Sequence, residues 1–140
     1  MTYLDTSVLA AYYYPETFST QAEEAILRAP QPAISQLVEV ELHSALARKI
    51  REGALTKAEG LRIVTQFRLH VTGAYYLRLP LTAVHYEIAS DWIGRFTTPL
   101  RTLDALHLAV SFSSDAVLLT SDAGLAKAAK HFGVRLQFIS

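Results

Sequence analysis

The sequence predicts a single α/β domain over residues 1–140, with a short, mostly parallel central sheet and helices on both of its faces. Two observations carry that prediction. Short apolar runs of strand type alternate with longer stretches that hold helix caps and stops. Strands separated by helices need crossover connections, which build parallel sheets buried on both sides. The second observation is size and composition: 140 residues, 51% hydrophobic and 19% charged, without cysteine. A domain of about 150 residues closes its core without disulfides or a structural metal, and so apolar a chain is not a disordered one.

The elements follow in order. Thr2–Asp5 (TYLD) is a run of β-formers that ends on an acid. Thr20-Gln-Ala-Glu23 and Thr56-Lys-Ala-Glu59 both match the capping box, in which two side chains satisfy free amides reciprocally, so a helix should start near each. Ala29-Pro-Gln-Pro32 breaks the first helix. Ala33–Ser35 is a brief strand, and Ser35 caps a helix over Gln36–Arg51 that Gly53 stops. Gly73 ends the helix begun after Thr56, and Ala74–Leu79 reads as a strand closed by Pro80. Helices over Ala83–Phe96 and Leu103–Ser113 come next. Ala116–Thr120 (AVLLT) is an apolar run of the buried-strand type, followed by a helix to Phe132 and a last strand at Arg135–Phe138.

Thirteen basic residues balance thirteen acidic ones. Any attraction to nucleic acid or anionic lipid must therefore come from a local patch. The longest stretches free of Asp, Glu, Lys and Arg run 10 residues (Thr6–Pro15, Ala29–Val38, Ala105–Ser114), half of the ~20 a membrane-crossing helix needs. Asp5 interrupts the N-terminus at once, so no signal peptide is expected. The lack of cysteine fits a reducing compartment and removes thiolate chemistry. The expectation is a cytoplasmic domain with no membrane partner.

The acids carry the functional reading. Asp5 ends the first strand, Asp122 lies just past AVLLT, and Asp104 falls in the first turn of the helix after Pro99. In open α/β sheets the ligand crevice lies beyond the carboxyl ends of the strands. Each aspartate alone reads equally as a helix cap. Massed on one rim they repel, and a divalent cation is the usual reason to keep them together. Carboxylates without cysteine select Mg²⁺ or Mn²⁺, ions suited to phosphoryl chemistry. Glu41 is the fourth candidate. At about 100° per residue it shares an arc of about 80° with Ser44, Arg48 and Arg51, the arginines standing about 10 and 15 Å further along the helix. Metal first and phosphate clamps after would suit a nuclease that tracks a backbone; a solvated face with internal ion pairs is the other reading.

Four blocks together resemble the PIN domain family, in particular VapC-type toxins of toxin–antitoxin pairs. They are Tyr3-Leu-Asp-Thr-Ser7, Ile34-Ser35 with Glu41, Leu103-Asp104-Ala-Leu-His-Leu-Ala109, and Leu119-Thr-Ser-Asp122. The resemblance implies an Mg²⁺- or Mn²⁺-dependent endoribonuclease whose site is Asp5, Glu41, Asp104 and Asp122, with tRNA or rRNA as substrate. It also implies a homodimer held in check by a cognate antitoxin. Some relatives carry a further acid just past the last aspartate, where this chain has Ala123-Gly124-Leu125. In this reading Asp5, Asp104 and Asp122 hold metal, and Glu41 orients or deprotonates water. Thr6 and Thr120 steady metal-bound waters or act as caps.

His107, three residues after Asp104, reads as a packing or hydrogen-bonding neighbour of the site rather than a ligand. If helical, Tyr12, Tyr13 and Tyr14 point three ways, so one at least cannot face the core and is left for a partner surface. Val40, Ala47 and Ile50 lie outside the core arc of their helix and extend that surface. Two alternatives stand: a catalytically silent PIN-like interaction module, and an aspartyl-phosphate phosphatase with Asp5 as nucleophile. The second wants an acid two residues on, where Ser7 stands.

Overall fold

The computed structural model describes all 140 residues. Its strands are β1 (Thr2–Leu4), β2 (Pro32–Ser35), β3 (Leu77–Leu79), β4 (Val117–Thr120) and β5 (Leu136–Phe138). Its helices are α1 (Thr6–Tyr13), α2 (Ser19–Arg28), α3 (Gln36–Arg51), α4 (Lys57–Thr72), α5 (Ala83–Gly94), α6 (Thr102–Ser113) and α7 (Ala123–His131). Every strand pairing is parallel, in the order β3-β2-β1-β4-β5. The chain builds outward from β1 to β2 and β3, then returns to lay β4 and β5 on the other side of β1. Strand order reverses there, which opens a crevice at the carboxyl ends of β1 and β4. Leu4 pairs with Leu119, and the Asp5 amide donates to the Leu119 carbonyl at 3.0 Å. The residues that follow both strands therefore emerge side by side.

Successive strand residues point to opposite faces. Tyr3 and Leu4, Ala33 and Ile34, and Leu118 and Leu119 are all fully buried, so helices cover both faces as predicted. On α3 the buried positions are Val38, Leu42 and Leu46, four apart on one stripe. Phe67 and Tyr76 join this core beside Tyr13. No helix is long and apolar enough to cross a membrane.

Several predicted boundaries move. The capping box at Thr56–Glu59 forms, but the one at Thr20–Glu23 does not. There α2 starts at Ser19, two residues before the Gln21 that a Thr20 cap would set, after Phe18, which gives no side-chain cap. The strand expected over Ala74–Leu79 shrinks to Leu77–Leu79, because the residue after Gly73 is spent on a turn. Ala74 adopts φ 59°, and the Tyr75 amide reaches back to the His70 carbonyl at 3.0 Å, as in a Schellman end. The left-handed position thus falls on alanine rather than on the glycine beside it. Ile50, expected on the free face of α3, is half-buried against the cluster. A Cβ on Gly60 of α4 would meet its Cδ1 at 2.8 Å, so Ile50 is closed off by α4. Val40 does stay out, at 67% exposed.

Candidate active site

Each acid reaches the crevice by its own route. Asp5 follows β1 and caps α1, accepting from the Ser7 amide at 3.4 Å. Its Oδ2 also accepts from the Ser7 hydroxyl at 2.6 Å and the Thr120 hydroxyl at 2.8 Å. Asp122 follows β4 and caps α7, Oδ1 accepting from the Leu125 amide at 3.0 Å. The Thr120 hydroxyl accepts in turn from the Asp122 amide at 3.0 Å, so one threonine ties the two strand ends together. Asp104 stands in the first turn of α6, half-buried.

Glu41 comes from the second turn of α3. Its Oε1 accepts from the Thr6 hydroxyl at 2.8 Å and from Nε2 of His107. His107 is 1% exposed, and its Nδ1 lies 2.8 Å from the Tyr3 hydroxyl, itself 2.8 Å from Ser35 Oγ. A buried chain Ser35–Tyr3–His107 therefore runs under the sheet ends and fixes one carboxylate oxygen. His107 sits beside the site as a hydrogen-bonding neighbour, the role read for it. Tyr3, Ser7 and Ser35 are site supports that sequence reasoning missed. Thr6 and Thr120 spend their protons on carboxylates, so they hold acids in place rather than free waters. Ser7 carried a signal, since a serine two residues past a capping aspartate can close the same turn. Tyr3 carried none, being an ordinary β-former.

Electrostatics follow the geometry. Burial raises the Asp104 carboxyl above its ordinary value, and the charges of Asp122, Asp5 and Glu41 raise it further, against a smaller opposing pull from His107. Burial alone would raise Glu41, but the His107 bond and charge and the Thr6 bond outweigh it and hold Glu41 low. Burial alone would lower His107, yet its bond to Glu41 and the field of Asp5, Glu41 and Asp104 hold it high. The rim is thus a region of negative potential in which one carboxylate resents its own charge. No three Asp, Glu or His side chains close on one point as a preformed cage. The donor set is all oxygen, and Asp104 accepts no hydrogen bond from the protein, so the rim fits a hard cation entering an open, hydrated site.

On the α3 side an open groove of about 570 Å³ is lined by Thr6, Glu41, Ser44, Arg48, Arg51 and Leu103. The predicted stripe therefore shares one surface with the acid. Arg48 also pairs with Glu52 at 2.9 Å, part of the solvated-face alternative. Both readings of the arginines are present in the geometry.

A wholly parallel five-stranded sheet covered by helices on both faces, with acids from four elements near its switch point, defines a class of small α/β domain. The chain belongs to the PIN domain family, whose model matches residues 2–131. Solved structures share the fold at low identity. A VapC20 toxin of Mycobacterium tuberculosis, described as cleaving the sarcin–ricin loop, is 20% identical with a TM-score of 0.75, over 91% of this chain and 95% of that one. VapBC2 of Rickettsia felis, solved on a DNA fragment from its promoter, is 16% identical at 0.65 over the whole of both chains. FitAcB of Neisseria gonorrhoeae is 15% identical at 0.71, over 97% and 96%. A search of curated proteins finds no match.

Proposed function

We propose that this chain is a divalent-metal-dependent endoribonuclease and the toxin of a toxin–antitoxin pair. The observation that carries the reading is the gathering of Asp5, Glu41, Asp104 and Asp122 from four elements at the switch point, where burial and then the charges of the other acids raise the Asp104 carboxyl. Asp5, Asp104 and Asp122 are the residues to hold Mg²⁺ or Mn²⁺; when bound, the ion polarises a phosphodiester and lowers the pKa of a water. Glu41, held anionic by His107 and Thr6, offers one fixed oxygen to orient that water. Arg48 or Arg51 holds phosphate along the α3 groove. The phosphatase reading finds no support, since the residue two past Asp5 is Ser7, whose hydroxyl already donates to Asp5.

The cognate antitoxin and a second copy of the chain are the proposed protein partners. An open depression of about 410 Å³ beside Tyr13 and Tyr14, with Leu55 and Ile63 in its wall, suits the apolar face of an amphipathic segment. The test is direct. Purified protein with Mn²⁺ should cleave RNA, and sequencing RNA ends after brief expression in cells should reveal a recurrent cut. A fully folded protein that cleaves no RNA under either condition would leave the silent interaction module as the reading.

A further inference from the structure

A second compartment opens on the far side of the acids. A cavity of about 260 Å³ lies between the segment Thr97–Leu100 and α7, lined among others by Thr97, Thr98, Asp104, Lys127 and His131. It shares α6 with the arginine groove: Leu103 lines one and Asp104 the other. The two compartments therefore flank the same rim. Lys127 enters no ion pair with any acid, so it is a cation without a protein counter-charge. His131 Nε2 lies 3.2 Å from the Thr97 hydroxyl, which ties the loop wall to α7.

Phe96, the residue before that wall, is 88% exposed, more than any other large apolar side chain. Its φ is 54° because it closes the end of α5, its amide reaching back to the Ile93 carbonyl at 3.1 Å, and this turn carries the ring out of the helix. An unpaired cation, hydroxyls in a small cavity and an exposed ring on the residue that precedes its wall are the parts of a single-stranded nucleic-acid site. The volume falls just under the range of about 300–1,000 Å³ typical of ligand pockets, which suits one nucleotide.

We propose that this cavity holds the nucleotide next to the scissile phosphodiester, with Lys127 on its phosphate and Phe96 stacked on its base. The RNA strand then runs from the Arg48–Arg51 groove, across the acids, into the cavity. This rests on the ribonuclease reading, and its test needs neither metal nor cleavage. A labelled random-sequence single-stranded RNA is titrated with the full chain in EDTA and followed by anisotropy. Phe96→Ala should weaken binding about fivefold or more, the loss expected for one stacked base. Lys127→Ala should weaken it and flatten the salt slope by about 0.7, one phosphate of a single strand. Both residues are exposed, so melting curves should match the parent's. Adenosine monophosphate alone should shift amide resonances of Phe96–Leu100 and Ala123–His131, and fail to do so in Lys127→Ala.

Unchanged RNA affinity and slope in both variants, or adenosine monophosphate shifts confined to other residues, would overturn the subsite. So would a Phe96→Ala effect on self-association alone. If the parent never cleaves RNA but these binding results hold, the nuclease reading fails and the nucleotide site survives. If it cleaves with Mn²⁺ and the variants bind normally, the subsite fails by itself.

Discussion

Replacing His107 by leucine tests the buried chain that fixes Glu41. The substitution removes a charge-assisted bond to Glu41, worth about 1.5–3 kcal/mol, and a bond to Tyr3, worth about 0.5–1.5 kcal/mol. Tyr3 keeps Ser35 and Glu41 keeps Thr6, so neither is orphaned. Leucine in a site this buried recovers about 1–2 kcal/mol of apolar burial. The net loss is about 1–3 kcal/mol, or a fall in melting temperature of about 3–9 °C at about 3 °C per kcal/mol for a chain this size. The pH dependence is the sharper readout. His107 is raised from 6.5, so its stabilisation is full below 6.5 and is lost as pH rises through the folded value. Glu41 is lowered from 4.5, so its share is full above 4.5 and is lost as pH falls through its folded value. The metal-free parent should therefore exceed His107→Leu by most between pH 4.5 and 6.5, with the gap narrowing on either side. Thermal unfolding across that range by circular dichroism measures it. A difference of less than about 1 °C, flat with pH, would show that the His107–Glu41 pair does not exist in solution.

Four further outcomes are expected. Asp104→Asn should abolish metal-dependent cleavage yet raise the melting temperature of the metal-free protein at neutral pH. The raised carboxyl favours the fold only when protonated and loses that as pH climbs; cleavage assays and melting curves check both halves. Arg48→Ala and Arg51→Ala should each weaken RNA binding alike across sequences and flatten its salt dependence by about one phosphate, and unchanged slopes would return both to the solvated face. Ala74→Gly should stabilise by about 1 kcal/mol, since φ 59° costs alanine roughly 1–2 kcal/mol that glycine escapes; chemical denaturation reads it. Val40→Glu, at a position 67% exposed, should weaken the complex with the neighbouring gene's product while sparing the fold, measured by co-purification and light scattering.

Much of the fold was legible because its signals are local. Ser35 and the Thr56 capping box each set a helix start, and the AVLLT run placed β4. The failures also have local causes. Thr20-Gln-Ala-Glu23 carries the right letters, but the α2 helix begins two residues early and leaves Thr20 inside. Ala74 hides a left-handed turn behind a glycine that does not need it, so the strand start was misplaced. The α1 helix carries too little alternation of polar and apolar residues to announce itself. In the site, the aspartates were legible from where they stand relative to strands. Their supports were not: Tyr3 meets His107 across 104 positions, a contact that only the sheet order creates.

The capping and metal-site readings of the acids are not rivals. Asp5 and Asp122 each give one oxygen to a helix start, and the other accepts no hydrogen bond from the protein. A helix N-terminus carries roughly half a positive charge, so the caps offset part of the repulsion that massing acids creates. Glu41 sits mid-helix, where no such charge exists, and His107 supplies it instead. Asp104 stands in the first turn of α6, where it too meets a helix N-terminal charge, but unlike the other three it accepts no hydrogen bond from the protein. Burial, and then the charges of Asp122, Asp5 and Glu41, raise its carboxyl. The fold thus supplies three acids with hydrogen-bond donors of its own and leaves the fourth without one. An incoming cation would relieve that residual strain most at Asp104, which makes Asp104 the position where loss of metal affinity and gain of metal-free stability should be largest together.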